Sequence, residues 1–312
     1  NNTHASLMRR YNWDVLDMVN INGRALTAEQ VEGIQLKGML KVTSNYDEGR
    51  RGQWKGIREY FPSTTKPALV ECYQIVNTGQ KELAVELPEV NQKSFTDPKK
   101  GVTGSFCIET STDKSGYFIV KPGETLQFGA VLTAYKEGEN APTFDVLQEK
   151  AQRQALVDEL MGKLVLETPD PVIDRMFAFS KIRGCESIYE TKGGPMHGPG
   201  GESYYAAIWA NDQAEYINPF FPFVGYEYGN ASALCSYLHF ARFMNDDWKP
   251  IPSSIIAEGI DIWNGAGDRG DAAMIAYGAV RYALARSNKQ EAETLWPLIE
   301  WCLEYCRRQL ND

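Results

Sequence analysis

Up to about residue 140, apolar and polar positions alternate in short runs that turn residues interrupt. The runs at 68–76 and 83–87 flank Asn77-Thr78-Gly79, which predicts an antiparallel hairpin. A turn at 121–124 precedes a further run with one apolar face and one solvent face, formed by Leu126, Phe128, Ala130 and Leu132. Repeated strands of this kind predict an antiparallel β-sandwich over residues 1–142.

The hydrophobic period changes at about residue 143. Apolar positions from Phe144 to Leu160 follow a helical spacing, which predicts a linker helix within 143–167. Thr168-Pro169-Asp170-Pro171 then marks a boundary, and residues 168–312 have the pattern of a helical domain. Five helices are predicted there, at 171–184, 203–217, 229–245, 268–287 and 289–310.

The second and fourth of these helices are nearly apolar on all sides, which predicts that they are inner helices. The first, third and fifth are amphipathic and should lie outside. Long connections at 193–201 and 246–267 lead into the two inner helices. We therefore expect these connections to meet at one cleft, where loops usually place binding groups.

Polar and aromatic residues with sugar-binding chemistry cluster on the second predicted helix. Asp212 and Glu215 are three residues apart and would share a helix face, next to Asn211 and Trp209. Carboxylates and amides bind hydroxyl groups, and an indole ring can lie against the C–H face of a sugar. This combination predicts a site for a polyhydroxylated ligand.

Three motifs resemble the six-hairpin glycosidases. They are Gly-Pro-Gly-Gly-Glu-Ser-Tyr-Tyr at 198–205, Ile-Trp-Ala-Asn-Asp-Gln-Ala-Glu-Tyr at 208–216 and Gly-Ala-Gly-Asp-Arg-Gly-Asp-Ala-Ala at 265–273. The resemblance covers nearly the whole chain and implies a β-sandwich, a linker helix and an (α/α)6 toroid. It also implies an inverting glycoside hydrolase, with a carboxylic acid and a carboxylate base roughly 6.5 to 9.5 Å apart acting on an oligosaccharide.

The number of helices departs from that pattern, because five helices make only two and a half hairpins. Closing a toroid would need roughly 200 more residues by repeat arithmetic. The resemblance therefore implies an incomplete toroid, completed by missing C-terminal hairpins or an oligomer partner. The catalytic residues are unknown, the general acid is expected beyond Asp312, and the isolated chain is expected to turn over little or no substrate.

Asp212 is the first candidate for a sugar ligand, since the matching segment of related toroid enzymes contacts the substrate. The alternative is a buried carboxylate paired with Arg175 or Arg269. Glu215 could bind sugar or anchor a neighbouring helix through Tyr216 or a backbone amide.

Further substrate-binding candidates lie at the starts of the two inner helices. Glu202 and Asp268 could bind sugar or cap a helix, and Asp271 offers the same capping role. Trp209 and Trp263 could stack on sugar rings or belong to the core, and Tyr205 completes the substrate-binding set. His197, in a Gly/Pro-rich loop, is not expected to be a base, and His239 is expected to be a satisfied core or boundary histidine.

Charge and composition exclude several partners. The net charge of −9 opposes binding to nucleic acid, and no apolar run is long enough to span a membrane. Six scattered cysteines and three histidines indicate neither a disulfide framework nor a metal site, and no cofactor is expected. Because the sequence opens at Asn1, a removed leader remains an option, so a periplasmic or secreted location is expected, with a cytoplasmic one as the alternative.

Two other functions remain open at this point. A toroid polysaccharide lyase could use Tyr204, His197 and Asn211, although an acidic cleft would repel a uronic acid polymer. A noncatalytic carbohydrate-binding or structural module would have to cover an exposed apolar edge. Such a module predicts oligomerisation through the last two helices, with Trp296, Leu298, Trp301 and Leu303 at the contact.

Overall fold

The structure is a computed structural model that describes residues 11–27, 29–47, 49, 52–99, 104–191, 193–198, 207–256, 261–263 and 268–310. For residues 256 and 261–263 only the backbone is described. The chain divides into two units, Ser6–Asp158 and Glu159–Asp312, and each is considered by itself. The domain limits expected at residues 142 and 167 stay predictions.

The alternating first part of the chain forms strands that pair antiparallel throughout. One sheet has the order β10-β7-β1-β2 and the other β3-β4-β5-β6-β11-β9-β8. The strands are β1 Asn20–Ile21, β2 Arg24–Ala25, β3 Glu29–Leu36, β4 Leu40–Asp47, β5 Gln53–Pro62, β6 Ala68–Asn77, β7 Leu83–Leu87, β8 Asn91–Phe95, β9 Phe106–Thr112, β10 Gly116–Val120 and β11 Thr125–Lys136.

One apolar core fills the space between the two sheets. Within it the rings of Tyr73 and Phe128 stack with centroids 4.8 Å apart, and Val85 and Val120 contribute from the smaller sheet. Alternation of apolar side chains puts these residues on the inner faces. The arrangement is consistent with the predicted β-sandwich.

The hairpin predicted at 68–76 and 83–87 is wrong in its pairing, although both strands exist. β6 pairs with β5 and β11 in the larger sheet, whereas β7 pairs with β1 and β10 in the smaller one. Asn77 stabilises the crossing, because its amide Nδ2 donates to the carbonyls of Lys81 at 2.7 Å and Val120 at 2.8 Å. The chain passes from one sheet to the other instead of turning back.

The predicted linker helix is α1, Val146–Gly162. Its first turn covers the outer face of the larger sheet, where Val146 packs with Val131, Val70 and Phe61. The expectation that β11 has one solvent face is therefore wrong at this point. Gly129 makes the approach possible, since a Cβ there would lie 2.6 Å from a methyl group of Val146.

In the second unit, four of the five predicted helices are present within a few residues of their expected bounds. They are α2 Pro171–Glu186, α4 Glu227–Ala241, α5 Asp271–Arg286 and α6 Lys289–Arg308. The start of α2 follows from Pro171, whose missing N–H costs nothing at the first helical position, and from Asp170, whose carboxylate accepts from the Val172 N–H at 2.8 Å.

The helix predicted at 203–217 is wrong for residues 207–209, where the description of this segment begins. Residues Ala207–Trp209 form strand β14, which pairs with β15, Ser254–Ile256. A π-helix at Asp212–Ile217 and a short helix α3, Asn218–Val224, follow. A short buried apolar run does not distinguish strand from helix by its periodicity, which accounts for the error.

Apolar side chains remain exposed on the last two helices. On α5, Tyr277 and Leu284 are 59% and 74% exposed, and the expected position of this helix as an inner one stays a prediction. On α6, Trp296 and Leu303 are exposed as the oligomer prediction requires, whereas Leu298 is buried. The toroid itself stays a prediction. None of the described helices is both long and apolar enough to cross a bilayer.

Candidate active site

A three-stranded sheet joins the two segments that carry the predicted site residues. β14 pairs antiparallel with β15, and β15 pairs antiparallel with β16, Asp261–Trp263. The two outer strands are therefore parallel to each other, and Trp209 and Trp263 are both in register with Ser254. β14 leads into the π-helix and β16 precedes α5 in the chain, so this sheet lies at the start of both helical segments.

The π-helix has a local cause in the sequence. In its last turn the Asn218 N–H donates a hydrogen bond to the carbonyl of Gln213, five residues earlier, which is the π-helical spacing. Pro219 has no N–H to donate to the Glu215 carbonyl four residues earlier. The Arg281 guanidinium on α5 takes that place, donating to the Glu215 oxygen at 3.3 Å. Single π-helical turns inside helices are frequent at functional sites.

The π-helix and α5 run in the same direction, as contacts through α4 show. α3 continues the π-helix and is antiparallel to α4, because Asn218 bonds to Ser236 and Phe221 packs on Gly229. α4 is in turn antiparallel to α5, because Tyr282 bonds to the Asn230 carbonyl and Arg286 to Glu227. Their N-terminal ends therefore lie at the same end of the unit. The cleft that the sequence analysis expects between the connections at 193–201 and 246–267 stays a prediction.

Asp212 is half-buried in the first turn of the π-helix. Loss of solvent raises the pKa of its carboxyl group, and the nearby positive charge of Arg269 opposes that rise. Within the described residues no hydrogen bond to the carboxylate is present. Of the two arginines considered from sequence, Arg269 is the neighbour, while Arg175 donates to the Pro171 carbonyl at 3.1 Å.

Glu215 and Asn211 flank Asp212 on the same segment, and both are half-buried. The adjacent Glu215 carboxylate is the main cause that raises the pKa of the exposed Tyr216 hydroxyl. The two roles considered for Glu215, a sugar ligand or an anchor for a neighbouring helix, stay predictions. Asn211 precedes the π-helix with helical backbone angles and caps no N–H group with its side chain.

Asp268 has partners for both carboxylate oxygens. Oδ1 accepts from the Gly270 N–H at 2.9 Å, and Oδ2 accepts from the Tyr305 hydroxyl. Tyr305 is the inner end of a stack of parallel rings that continues through Trp301 and Trp248, with centroids 5.4 Å apart at each step. Asp268 is therefore held by α6, and Trp301 stacks between Trp248 and Tyr305 within the unit.

Two further polar residues at this end were not selected from the sequence as site residues. Asp271, the first residue of α5, is 1% exposed, and its Oδ1 makes no hydrogen bond in the described structure. Ser254 is completely buried, and its hydroxyl likewise has no partner there. The Gly-Asp-Arg-Gly-Asp run at 267–271 contains two acidic residues, whereas a helix needs only one to cap its N-terminus. The second acid was the sequence feature that could have pointed to Asp271.

The remaining sequence-predicted site residues are only partly placed. Trp209 is half-buried at the end of β14, and Trp263 is placed by its backbone register alone. Glu202 and Tyr205 lie outside the described residues, as does Tyr204. No group of three or more metal-binding side chains occurs within the described parts of the chain.

The two described histidines have their ring nitrogens largely shielded from solvent. His197 lies on β13, Gly194–His197, which pairs with β12, Ile188–Thr191, so the expectation of a loop is wrong. Burial of its ring lowers its pKa to about 4. His239 contacts the Gly193 carbonyl through Nε2 at 2.9 Å and Arg242 through Nδ1 at 2.9 Å. His239 is thus a satisfied boundary histidine, as predicted.

Comparison with known proteins identifies the fold. No family model matches the chain, and no curated protein matches it. Among solved structures, it is similar to the protein named "Putative kojibiose phosphorylase from human microbiome", with a TM-score of 0.59 at 9% sequence identity. The match covers 85% of this chain but 45% of that protein, so the chain spans less than half the length of its structural relative. The chain therefore shares its fold with part of that protein.

Proposed function

We propose that this chain is the sugar-binding part of an enzyme that cleaves glycosidic bonds in an oligosaccharide. The observation that carries the proposal is the half-buried Asp212 carboxylate, which has no hydrogen bond among the described residues and lies at the common start of the π-helix and α5. Sugar hydroxyls donate readily to such a carboxylate, and Trp209, three residues earlier in the chain, has an indole ring on which a sugar can stack.

The similarity of fold supports this class of enzyme, because the structural relative is named for its action on kojibiose. Two reactions are compatible with this fold and these motifs, because both require the same sugar to be bound. A hydrolase, which the motif resemblance favours, transfers the glycosyl group to water with inversion. A phosphorylase transfers it to inorganic phosphate. Incubation with kojibiose, with and without phosphate, distinguishes them by the appearance of free sugar alone or of sugar phosphate.

The two causes that act on the pKa of Asp212 favour a binding role over a structural ion pair. Desolvation is the larger cause acting on its pKa, and it raises the pKa above the ordinary value. The ionised carboxylate is therefore less stable in the folded chain than in water, despite Arg269. A purely structural ion pair would be expected to stabilise the fold instead.

The test is binding of the 312-residue chain to kojibiose, maltose and cellobiose, measured by isothermal titration calorimetry. We expect Asp212→Asn to weaken binding by at least about tenfold, as loss of a charge-assisted hydrogen bond does. Its melting temperature should stay the same or rise. Asp247→Asn is the matched control, because Asp247 is exposed and pairs only with Lys249 at 2.8 Å among the described residues.

Two outcomes contradict the proposal. Failure of the wild-type chain to bind any of the sugars would remove the proposed function. Equal binding by wild type and Asp212→Asn, together with a lower melting temperature for the variant, would make Asp212 a structural carboxylate.

A further inference from the structure

Asp271 occupies an unusual position for a carboxylate at a helix start. Its Oδ2 accepts from the Arg269 N–H at 3.5 Å, a long contact, while Oδ1 is buried and makes no hydrogen bond in the described structure. The whole residue is 1% exposed. A buried carboxylate oxygen without a donor is costly, so its retention at this place calls for a donor supplied from elsewhere.

Its position on α5 turns Asp271 toward the π-helix. Asp271 precedes Gly278 by seven residues, which is close to two helical turns, so both lie on the same face of α5. That face packs on the π-helix, since a Cβ on Gly278 would lie 2.2 Å from the Ala214 carbonyl oxygen. Because the two segments run in the same direction, Asp271 lies at the same end as Asp212.

Arg269 links the two carboxyl groups electrostatically. Its charge lowers the pKa of Asp212 and of Asp271, although desolvation is the larger cause at each group and raises both. One arginine thus partly neutralises two acids from different segments. The positive end of the α5 backbone dipole also favours a negative charge at its first residue.

Asp268 serves as an internal comparison, because it lies three residues away on the same segment. Both of its oxygens have donors, from the Gly270 N–H and the Tyr305 hydroxyl. Both carboxylate oxygens of Asp268 therefore have hydrogen-bond donors within the unit, whereas Oδ1 of Asp271 has none in the described structure.

We propose that Asp271, and not Asp268, is the second carboxylate of the sugar site, accepting a hydrogen bond at Oδ1 from a hydroxyl group of the ligand that Asp212 binds. This assignment rests on the proposed function. Asp212 on the π-helix and Asp271 on α5 then hold one sugar from two segments, with Arg269 between their charges. The close packing of Gly278 on Ala214 fixes the spacing of these two segments.

The experiment compares Asp271→Asn with Asp268→Asn in titrations of the chain with kojibiose, maltose and cellobiose. Asn at 271 keeps an oxygen for the Arg269 N–H and removes the charge. We expect Asp271→Asn to weaken binding by about 10- to 100-fold. Asp268→Asn should bind as wild type does and melt at a lower temperature, because it disturbs the contact with Tyr305.

Monodeoxy analogues of the best-binding disaccharide separate direct contact from a structural effect. If Asp271 accepts from one hydroxyl, the analogue lacking that hydroxyl should bind wild type and Asp271→Asn equally, while the other analogues still distinguish the two. A uniform loss across all analogues would assign Asp271 a structural role. Asp271→Ser, which keeps a capping oxygen, replaces Asp271→Asn if circular dichroism shows that the latter does not fold.

The failures of the two proposals are distinct. If Asp212→Asn loses binding while Asp271→Asn and Asp271→Ser bind as wild type does, Asp271 only begins the helix and the proposed function stands. If the wild-type chain binds none of the sugars, the proposed function fails and the assignment of Asp271 fails with it.

Discussion

Gly278 on α5 lies directly against the backbone of Ala214 in the π-helix. A Cβ at position 278 would be 2.2 Å from the Ala214 carbonyl oxygen and 2.6 Å from its Cα and carbonyl carbon. These are backbone atoms, so no side chain can rotate away to make room. The absence of a side chain at 278 therefore sets how closely α5 approaches the segment that carries Asp212.

Gly278→Ala should destabilise the protein by about 2 kcal/mol or more, because the two segments must separate to admit the methyl group. The measurement is the free energy of unfolding from urea titration. Gly162→Ala is the control, since Gly162 ends α1 and a Cβ there would meet no atom within 4 Å. That change should be neutral or stabilising, as Ala favours a helix by up to about 1 kcal/mol over Gly. Equal effects of the two changes would contradict the packing described.

Lys181 on α2 holds the C-terminal end of α1. It is 1% exposed, and its Nζ donates to the carbonyls of Leu160 at 3.0 Å, Met161 at 3.3 Å and Lys163. These are carbonyls that a helix end leaves without intrahelical partners. Burial lowers the pKa of the ammonium group, and the three acceptors offset part of that cost.

Lys181→Met should lower the free energy of unfolding by about 2 to 3 kcal/mol, since it keeps the apolar stem and leaves the carbonyls without a charged donor. Lys249→Met is the matched control, because the Lys249 side chain is 73% exposed and its ion pair with Asp247 contributes little. Thermal unfolding of both variants at the same pH gives the comparison. A stable Lys181→Met protein would show that water replaces the ammonium group at the helix end.

The sequence predicted the positions of the strands better than it predicted which strands pair with each other. Alternation located β6 and β7 correctly, but pairing depends on which sheet each strand joins, and Asn77 carries the chain across by bonding to Lys81 and Val120. The bond to Val120 joins residues 43 apart in sequence, so periodicity does not reveal it. The strong turn residues Asn77-Thr78-Gly79 favoured a hairpin, and tertiary pairing overrode them.

The candidate site was predictable in chemistry and less so in geometry. The acids, amide and tryptophan around Asp212 are selected by residue type alone, and their binding role and the cleft between the two long connections stay predictions. The strand at Ala207–Trp209 and the π-helix were missed, because a buried apolar run fits either structure and Pro219 acts through a missing hydrogen bond. Choosing between Asp268 and Asp271 required knowing that Tyr305 reaches the first of them.

His197 should make the fold less stable in mild acid. Both of its ring nitrogens are buried, and desolvation lowers its pKa to about 4 from the ordinary 6.5. Between these values the unfolded chain takes up a proton that the folded chain does not, so stability falls as the pH drops from about 6.5 to about 4. The loss attributable to this residue is at most about 3 kcal/mol.

His197→Phe removes this titration and keeps a ring in contact with Phe221, whose centroid lies 5.9 Å from that of His197. The free energy of unfolding of the variant should therefore change less than that of wild type over the same pH range. A comparison above about pH 7, where the wild-type ring is neutral, measures the packing difference alone. Parallel pH profiles for the two proteins would show that His197 is protonated without cost in the folded state.

Arg269 should set the lower pH limit of sugar binding. Its charge lowers the pKa of Asp212 against the larger effect of desolvation, so Arg269→Met leaves desolvation unopposed and raises that pKa further. A ligand hydroxyl binds an ionised carboxylate more strongly than a protonated one, and the fraction ionised falls as the pH drops through the pKa. Affinity for the sugar, measured at a series of pH values, should therefore be lost at a higher pH in the variant than in wild type. Lys289→Met removes an equal charge at the other end of α6 from Tyr305, where Lys289 pairs with Glu293 at 3.6 Å, and it should leave the pH profile unchanged. Should both variants shift the profile equally, net charge and not the position of Arg269 beside Asp212 would be the cause.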